Sequence, residues 1–436
     1  MGLSTMNVSP ASARAVDELH QRAMLALRQQ REAEAVSLWQ QVIALAPDDG
    51  PANAGLGRWC LGRGQLDAAA MHLQRVAQAD ARKVRPWIDL ALVQRRRRDE
   101  AGEEAALFGA LKADPQDLLA LLMRGELLER RGLMAAALDA YIAATVVAPP
   151  PERLSPELRA PVAHARALKA AHDQRLADFM DQALAPAFQN HQGEDLQRFR
   201  QSLDILLGRQ RRHESQPSRY FYPQLQPVEF FDRALFPWLE ALEAATDGIR
   251  QECLQVLQDG EGITPYIAYG DDQPLQQWAE LNRNPRWSCY HLWKDGRPVA
   301  EHLALCPQTQ QALEATPRPD QPGRTPVAMF SLLKPHTVIP PHTGASNTRL
   351  LCHLPLIVPP GCRFRVGNSV REWVEGQAWL FDDTIEHEAR NDSDQLRAIL
   401  IFDTWHPGLN EAERHMITAM SAAMNAFSGA DSAFGA

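Results

Sequence analysis

A period of 34 residues governs the first third of this chain, where the turn positions Pro47, Ala81, Pro115 and Pro149 recur at equal intervals and bring other columns into register. A small residue recurs at Ala23, Gly57, Ala91 and Gly125, a large apolar one at Trp39, Leu73, Leu107 and Tyr141, and a further apolar column at Val42, Val76, Ala110 and Ala144. Ala35, Ala69, Glu103 and Ala137 stand twelve residues before each turn position, with Glu103 the departure from a small side chain. Gln30, Gly64, Arg98 and Gly132 mark a turn inside each unit. Small residues let two helices approach closely and large ones fill the space between successive pairs. The pattern therefore predicts stacked helical hairpins, an array in which each unit buries its apolar face against its neighbours.

These columns resemble the tetratricopeptide repeat over about four units, roughly residues 16–151. Such an array serves either as a scaffold or as a concave surface for a peptide or protein, and the fold alone does not decide between them. Arg95 to Arg98, in QRRRRDE, sit at a helix end beside Asp99 and Glu100, where cations suit the helix dipole, so they read as a solvated turn. The formal charge of -9, with 54 acidic against 45 basic residues, likewise argues against nucleic acid as a partner. No run approaches the roughly 18 apolar residues of a membrane span, so no membrane insertion is expected. Six cysteines lie far apart without a CxxC pair, and no basic and apolar leader opens the chain, so a reduced, cytoplasmic protein is expected. Residues 1–15 are expected to be disordered. Pro149 to Pro151 end the array, Ser155-Pro156-Glu157 open a helical connector over 152–215, and the polar, proline-rich HESQPSRYFYPQLQP marks a domain boundary.

Beyond it, residues 216–425 read as a second domain. A helix is expected over Phe236 to Leu257, and then β-branched and aromatic segments alternate with turns. Candidate strands are AMFSLL, TRLLCHLPLIV, CRFRV, VREWV, QAWLF, HEARN and LRAILIFDTW. Many short strands with tight turns predict a jelly-roll barrel, so the fold class is a helical repeat solenoid followed by a double-stranded β-helix. Arg363 and Arg365 are expected to divide between pocket and solvent. Asn410 with Glu413 reads as a capping pair, and residues 426–436 as a disordered tail.

Two histidines stand out, His342 in PHTGASNTRLLCH and His387 in FDDTIEHEARND. In a jelly roll, a ligand near a strand start and another 45 residues later, on a strand across the barrel, can meet at one metal. Neutral imidazoles suit iron(II), but the usual site adds a carboxylate two residues after the first histidine, where this chain has Gly344. Either histidine alone reads as a packed or surface residue. Asp382 and Asp383 suggest a turn or hydrogen bonds around the ligands, and Asp403 a structural role.

The flanks WSCYHLW, FSLLKPHTVIPPHTG, NTRLLCHLPLIVPPGCRFRVG, FDDTIEHE and IFDTWHPGLNEAER resemble the aspartyl/asparaginyl β-hydroxylase family over roughly residues 220–420. That resemblance implies iron(II) held by His342 and His387 without a carboxylate, with 2-oxoglutarate and O2 as cosubstrates. Ser331 and Arg397 would hold the distal carboxylate of 2-oxoglutarate, a guanidinium being matched to a carboxylate. His353 and Trp287 would also touch the cosubstrate. Leu351 stands where an arginine is usual, and Arg349 would compensate only if no bulge separates the two. The implied reaction is hydroxylation of the β-carbon of an aspartyl or asparaginyl residue in a peptide or protein, recruited by the repeats. The alternatives are a hydroxylase of a small molecule or lipid head group, and a repeat scaffold whose barrel only binds.

Overall fold

The 34-residue period folds into four helical hairpins in the computed structural model, which describes residues 10–428. The pairs are α1 (Pro10–Arg28) with α2 (Glu32–Leu45), α3 (Gly50–Gly62) with α4 (Leu66–Ala79), α5 (Val84–Arg97) with α6 (Glu100–Ala113), and α7 (Leu118–Arg130) with α8 (Met134–Val147). Gln30, Gly64, Arg98 and Gly132 all adopt positive φ, between 60° and 74°. In each turn the next N–H reaches back five residues: Arg31 to Ala26, Gln65 to Cys60, Asp99 to Gln94 and Leu133 to Leu128, at 2.8 to 3.0 Å. A left-handed residue closing a helix in this way satisfies its orphan carbonyls. The small and large columns meet inside the hairpins. A Cβ on Gly57 would lie 2.6 Å from Leu73 Cγ, and one on Gly125 would lie 2.5 Å from Tyr141 Cε1.

Glu103, the departure from the small column, is 1% exposed and held by Arg95 at 2.8 Å and Arg130 at 2.6 Å. Arg97 pairs with Asp67 at 2.8 Å, and Arg98 is the left-handed turn residue, so the arginine run is spent on the array itself. A 35-residue helix, α9 (Pro156–Asn190), packs on α8 and α7 and covers the end of the stack.

The chain divides into two units, Met1–Leu196 and Gln197–Ala436, rather than at residue 215. The reason is that 197–215 is tied to the second unit: α10 (Gln197–Leu206) carries Gln201, which donates to Glu229, and Ser215 bonds the Thr384 hydroxyl at 2.6 Å. Residues 10–15, expected to be disordered, lie in α1. Residues 1–9 and the tail from 429 fall outside the described residues.

The second unit continues through α11 (Leu239–Ala244), α12 (Thr246–Asp259), β1 (Thr264–Pro265), β2 (Trp287–Lys294), β3 (Arg297–Pro298), α13 (Ala300–Leu305) and α14 (Pro307–Glu314). The expected helix over Phe236 to Leu257 is thus two helices. The strands β4 (Ala328–Leu333), β5 (Thr337–His342), β6 (Arg349–Ile357), β7 (Cys362–Val366), β8 (Ser369–Glu372), β9 (Trp379–Phe381), β10 (His387–Asn391) and β11 (Arg397–Trp405) follow, then α15 (Glu411–Ser428). The Asn410 and Glu413 capping pair forms reciprocally, each side chain accepting the other's backbone N–H at 2.9 and 2.8 Å.

Two antiparallel sheets result, ordered β1-β2-β4-β11-β6-β9, with β3 on β2, and β5-β10-β7-β8. From β4 onward the chain alternates between them except at the β7–β8 hairpin, the winding expected of a jelly roll. Trp287, Met329, Phe364, Phe381 and Ile401 fill the space between the sheets, and the opposite face of the larger sheet packs Tyr290, Phe330, Leu400 and Phe402 under the helices. Strands β4 and β11 are buried on both faces, which is why AMFSLL and RAILIFDTW are continuously apolar, whereas β7 alternates because its outer face meets solvent.

That alternation corrects one expectation: Arg363 and Arg365, two apart, share the outer face, where Arg365 pairs with Glu388 at 2.8 Å and Arg363 with Asp392 at 3.6 Å. Strand β5 was hidden by Pro340 and Pro341. It is an edge strand, bonded only to β10, where a missing N–H is tolerated.

Candidate active site

His342 closes β5, His387 opens β10, and the two residues pair directly across the ladder, ring centroids 4.0 Å apart. They are neighbours in the smaller sheet, not on strands across the barrel as their spacing suggested, because β10 returns to pair with β5. Each Nδ1–H donates to the carbonyl two residues earlier, Pro340 at 2.8 Å and Ile385 at 3.0 Å. This arrangement fixes the tautomer and leaves both Nε2 lone pairs for a ligand. Burial holds the imidazoles far below their ordinary range, His342 at about 3 and His387 at about 4, so both are neutral donors.

Gly344 has a steric explanation. A Cβ there would lie 2.2 Å from the Asp383 carboxyl carbon, so Asp383 fills the space that a side chain at 344 would take. The Gly344 N–H donates to the Asp383 carbonyl at 2.6 Å, tying the loop after His342 to the turn before His387. Asp383 Oδ2 lies 3.4 Å from Arg349, whose other nitrogen is 3.2 Å from Asp403, while Asp383 Oδ1 has no protein partner. Burial raises both carboxyls, Asp403 to about 6, against the pull of Arg349. Asp382 closes the turn before His387, accepting from the Thr384 N–H at 2.9 Å and hydroxyl at 2.5 Å. Among the described residues no group of three or more His, Cys, Asp or Glu could hold a metal.

The histidines stand on a wall shared by two cavities. The outer, about 370 Å³, is also lined by Trp278, Arg219, Arg349 and Asp383; the inner, about 70 Å³, by Ser331, His353, Trp373 and Arg397. The inner one gathers most of the residues singled out from sequence. Trp287 Nε1 donates to Ser331 Oγ at 3.3 Å. Arg397 is 1% exposed, faces no carboxylate within ion-pair distance among the described residues, and has an unpartnered Nε. One of its terminal nitrogens donates to the Ser331 carbonyl at 3.4 Å, Trp373 lies 5.3 Å from its centre, and burial pulls its pKa down to about 10. His353 Nδ1 and Trp373 Nε1 are also buried without partners. The Arg397 guanidinium, the Trp373 N–H and an unpartnered His353 nitrogen meet in one small cavity, a set suited to an anionic group.

The register of β6 against β11 and β9 is unbroken from Arg349 to His353, so Arg349, Leu351 and His353 share the inward face. Leu351 reaches both cavities, but Arg349 reaches only the outer one. Sequence reasoning missed Trp278, 5.1 Å from His342 in a T-shaped contact, Tyr266, stacked on Trp287 at 4.2 Å, and Trp373. No spacing marks them. It also read the segment of Ser218 and Arg219 only as a domain boundary, yet their N–H groups donate to the Gly344 and Ala345 carbonyls at 2.9 and 3.1 Å, on the loop that follows His342.

Residues 243–407, which include both histidines and the whole inner cavity, match the family model described as aspartyl/asparaginyl beta-hydroxylase. The second unit is similar to that family. The chain is 33% identical over 183 residues to the human aspartyl/asparaginyl beta-hydroxylase, covering 42% of this chain and 23% of that protein. It is 33% identical over 189 residues to the ornithine lipid ester-linked acyl 2-hydroxylase of Rhizobium tropici, covering 43% and 63%. With human aspartate beta-hydroxylase domain-containing protein 2 the identity is 30% over 206 residues, covering 46% and 53%. The chain thus spans less than two thirds of each of these relatives. Among solved structures, a crystal structure of MamA protein aligns with a TM-score of 0.32 at 14% identity, over 42% of this chain and 98% of that one. A thermophilic TPR protein in Thermus thermophilus aligns at 0.27 and 16%, over 44% and 97%. Likeness at this level adds nothing to the hairpin architecture described above.

Proposed function

We propose that this protein is an iron(II) and 2-oxoglutarate dependent dioxygenase that hydroxylates the β-carbon of an aspartyl or asparaginyl residue in a peptide or protein. The observation that carries the reading is Arg397, a fully buried cation with no acidic partner among the described residues, beside a wall with two neutral histidines whose Nδ1–H groups are spent on backbone carbonyls. The donor set fits the metal: two imidazoles of fixed tautomer suit iron(II), with open positions for a bidentate 2-oxoacid. The inner cavity fits the cosubstrate's far carboxylate, which would complete the bonding of Arg397, His353 and Ser331. When bound, iron with 2-oxoglutarate and O2 supplies an oxidant strong enough to take a hydrogen from an unactivated carbon.

The chain's own part is positional. His342 and His387, which line both cavities, would hold the metal, the inner cavity would orient the cosubstrate, and Trp278 and Tyr266 beside them would limit water. The outer cavity presents Arg349 and Asp383 to a polar side chain. The six cysteines are free and buried, which suits a reducing, cytoplasmic compartment. The repeat array is proposed to recruit the protein substrate.

A second reading rests on the apolar wall of the outer cavity, Val327, Met329, Leu351 and Ile401, which would suit an acyl chain as in the Rhizobium relative's name. Succinate formation from 2-oxoglutarate with iron(II) and ascorbate, and oxygen incorporation followed by mass spectrometry, test both readings with peptides and with acyl lipids. Peptide hydroxylation lost in His342→Ala and Arg397→Ala is expected. Turnover of lipids alone would favour the second reading, and iron-independent inactivity with every substrate would leave a binding protein. To ask whether the repeats recruit substrate, the chain should be cut at residue 196, since a cut at 215 would remove residues that brace the barrel.

A further inference from the structure

The large apolar column of the array is followed directly by Gln40, Gln74, Phe108 and Ile142, so the third unit sets an aromatic ring where the first two set an amide. Phe108 lies on the outer stripe of α6 with Ala101, Glu104, Ala105 and Lys112, all of them exposed, and is itself 71% exposed. Beside it, between α6 and α7, is a cavity of about 350 Å³ with Leu111, Leu127 and Leu128 in its wall and Glu104 and Lys112 at its rim. The Phe108 ring lines this cavity and leaves it unfilled. An exposed ring next to an apolar hollow marks a contact surface.

The order of charges selects what covers it. Glu104 stands four residues before Phe108 and Lys112 four residues after it, on the same stripe. When two copies of α6 meet antiparallel about Phe108, residue 104 of each copy faces residue 112 of the other, and two-fold symmetry makes the attractive pair twice. Ala105 then faces Leu111, small against large, and the alanines at 101 and 105 let the helices approach closely. A parallel meeting would set Glu104 against Glu104 and Lys112 against Lys112. Glu104 already meets Arg131 at 2.7 Å, but its side chain is 57% exposed and leaves room for an incoming ammonium.

We propose that this protein self-associates through the outer face of α6, as a two-fold dimer in which each Phe108 ring seats in the other copy's cavity between α6 and α7. The face belongs to the repeat unit alone, so the dimer stands independently of the chemistry assigned to the second unit.

The test is the mass of the full chain in solution, by sedimentation velocity over a dilution series. The parent should show a concentration-dependent dimer. Phe108→Glu should weaken it about thirtyfold or more, as loss of an aromatic anchor does, with an unchanged thermal midpoint because the ring is exposed. Glu104→Lys or Lys112→Glu alone should weaken it about tenfold by setting like charges opposite each other twice, and the two together should restore it to within about threefold of the parent. Such a restoration separates the contact from any effect on folding. A parent that stays monomeric at about 100 µM, a dimer indifferent to Phe108→Glu, or two charge exchanges whose losses add would each overturn the dimer.

Discussion

The two units treat a buried charge in opposite ways. In the repeat array, Glu103 is 1% exposed and lies between Arg95 and Arg130 at 2.8 and 2.6 Å. In the barrel, Arg397 is equally buried, yet its company is an aromatic ring, a carbonyl and two further unpartnered ring nitrogens. A buried charge that is paired locally belongs to the fold, whereas one left with unmet bonding has been reserved for something the fold does not supply. The same contrast separates Asp89, paired with Arg85 at 2.8 Å, from Asp383, which keeps one oxygen without a partner.

Exchanging the two charges for apolar side chains should give opposite outcomes. Arg397→Leu is expected to reduce kcat/KM for 2-oxoglutarate by about a hundredfold or more while leaving thermal stability unchanged or raised, because an unpaired buried cation is removed. Glu103→Ala should lower stability by about 2 kcal/mol, below the roughly 3–5 kcal/mol of broken fully buried pairs because its arginines are partly exposed, and leave turnover intact. Denaturant titration and steady-state kinetics on both variants would settle the matter, and a large loss of stability in Arg397→Leu would erase the distinction.

Gly344→Asp sharpens it at the metal. The substitution restores the common carboxylate position on paper, but its Cβ meets Asp383 at 2.2 Å. It should therefore weaken metal binding by about tenfold or more, as disruption of groups that orient ligands does, and not strengthen it. Quenching of Trp278 fluorescence by cobalt(II), with that ring 5.1 Å from His342, reads the change directly.

The smallest effect concerns His291, held by burial at about 4, with the charges of Lys294 and His302 acting in the same direction. Its folded pKa lies below the unfolded value, so its contribution to stability is present above about 6.5 and is lost as pH falls toward 4. Between pH 7 and 5 the loss should be at most about 2 kcal/mol, and His291→Gln should show a correspondingly shallower decline in urea midpoint.

Most of the architecture was legible because it repeats or alternates. A fixed period of 34 places every turn of the array, and the four residues marked as turns all adopt left-handed backbone. The buried and half-buried strands announced themselves by continuous or alternating apolar residues. Strand β5 did not, since Pro340 and Pro341 argue against a strand unless one knows that it lies at an edge. The candidate site was legible as residues at matching offsets to a family, and His342, Ser331, His353, His387 and Arg397 do converge on adjoining cavities.

Sequence by itself therefore determined the helical array, the β-rich second unit and which two histidines deserve to be paired, because periodicity and local flanks are properties of contiguous residues. Only the tertiary structure decided that the histidines are register partners in one sheet, that Asp383 occupies the space beside Gly344, that Arg349 is committed to two aspartates, and that a segment read as a domain boundary braces the loop after His342. Each depends on which distant backbone lies alongside which, and that is fixed by burial and sheet register across the whole domain.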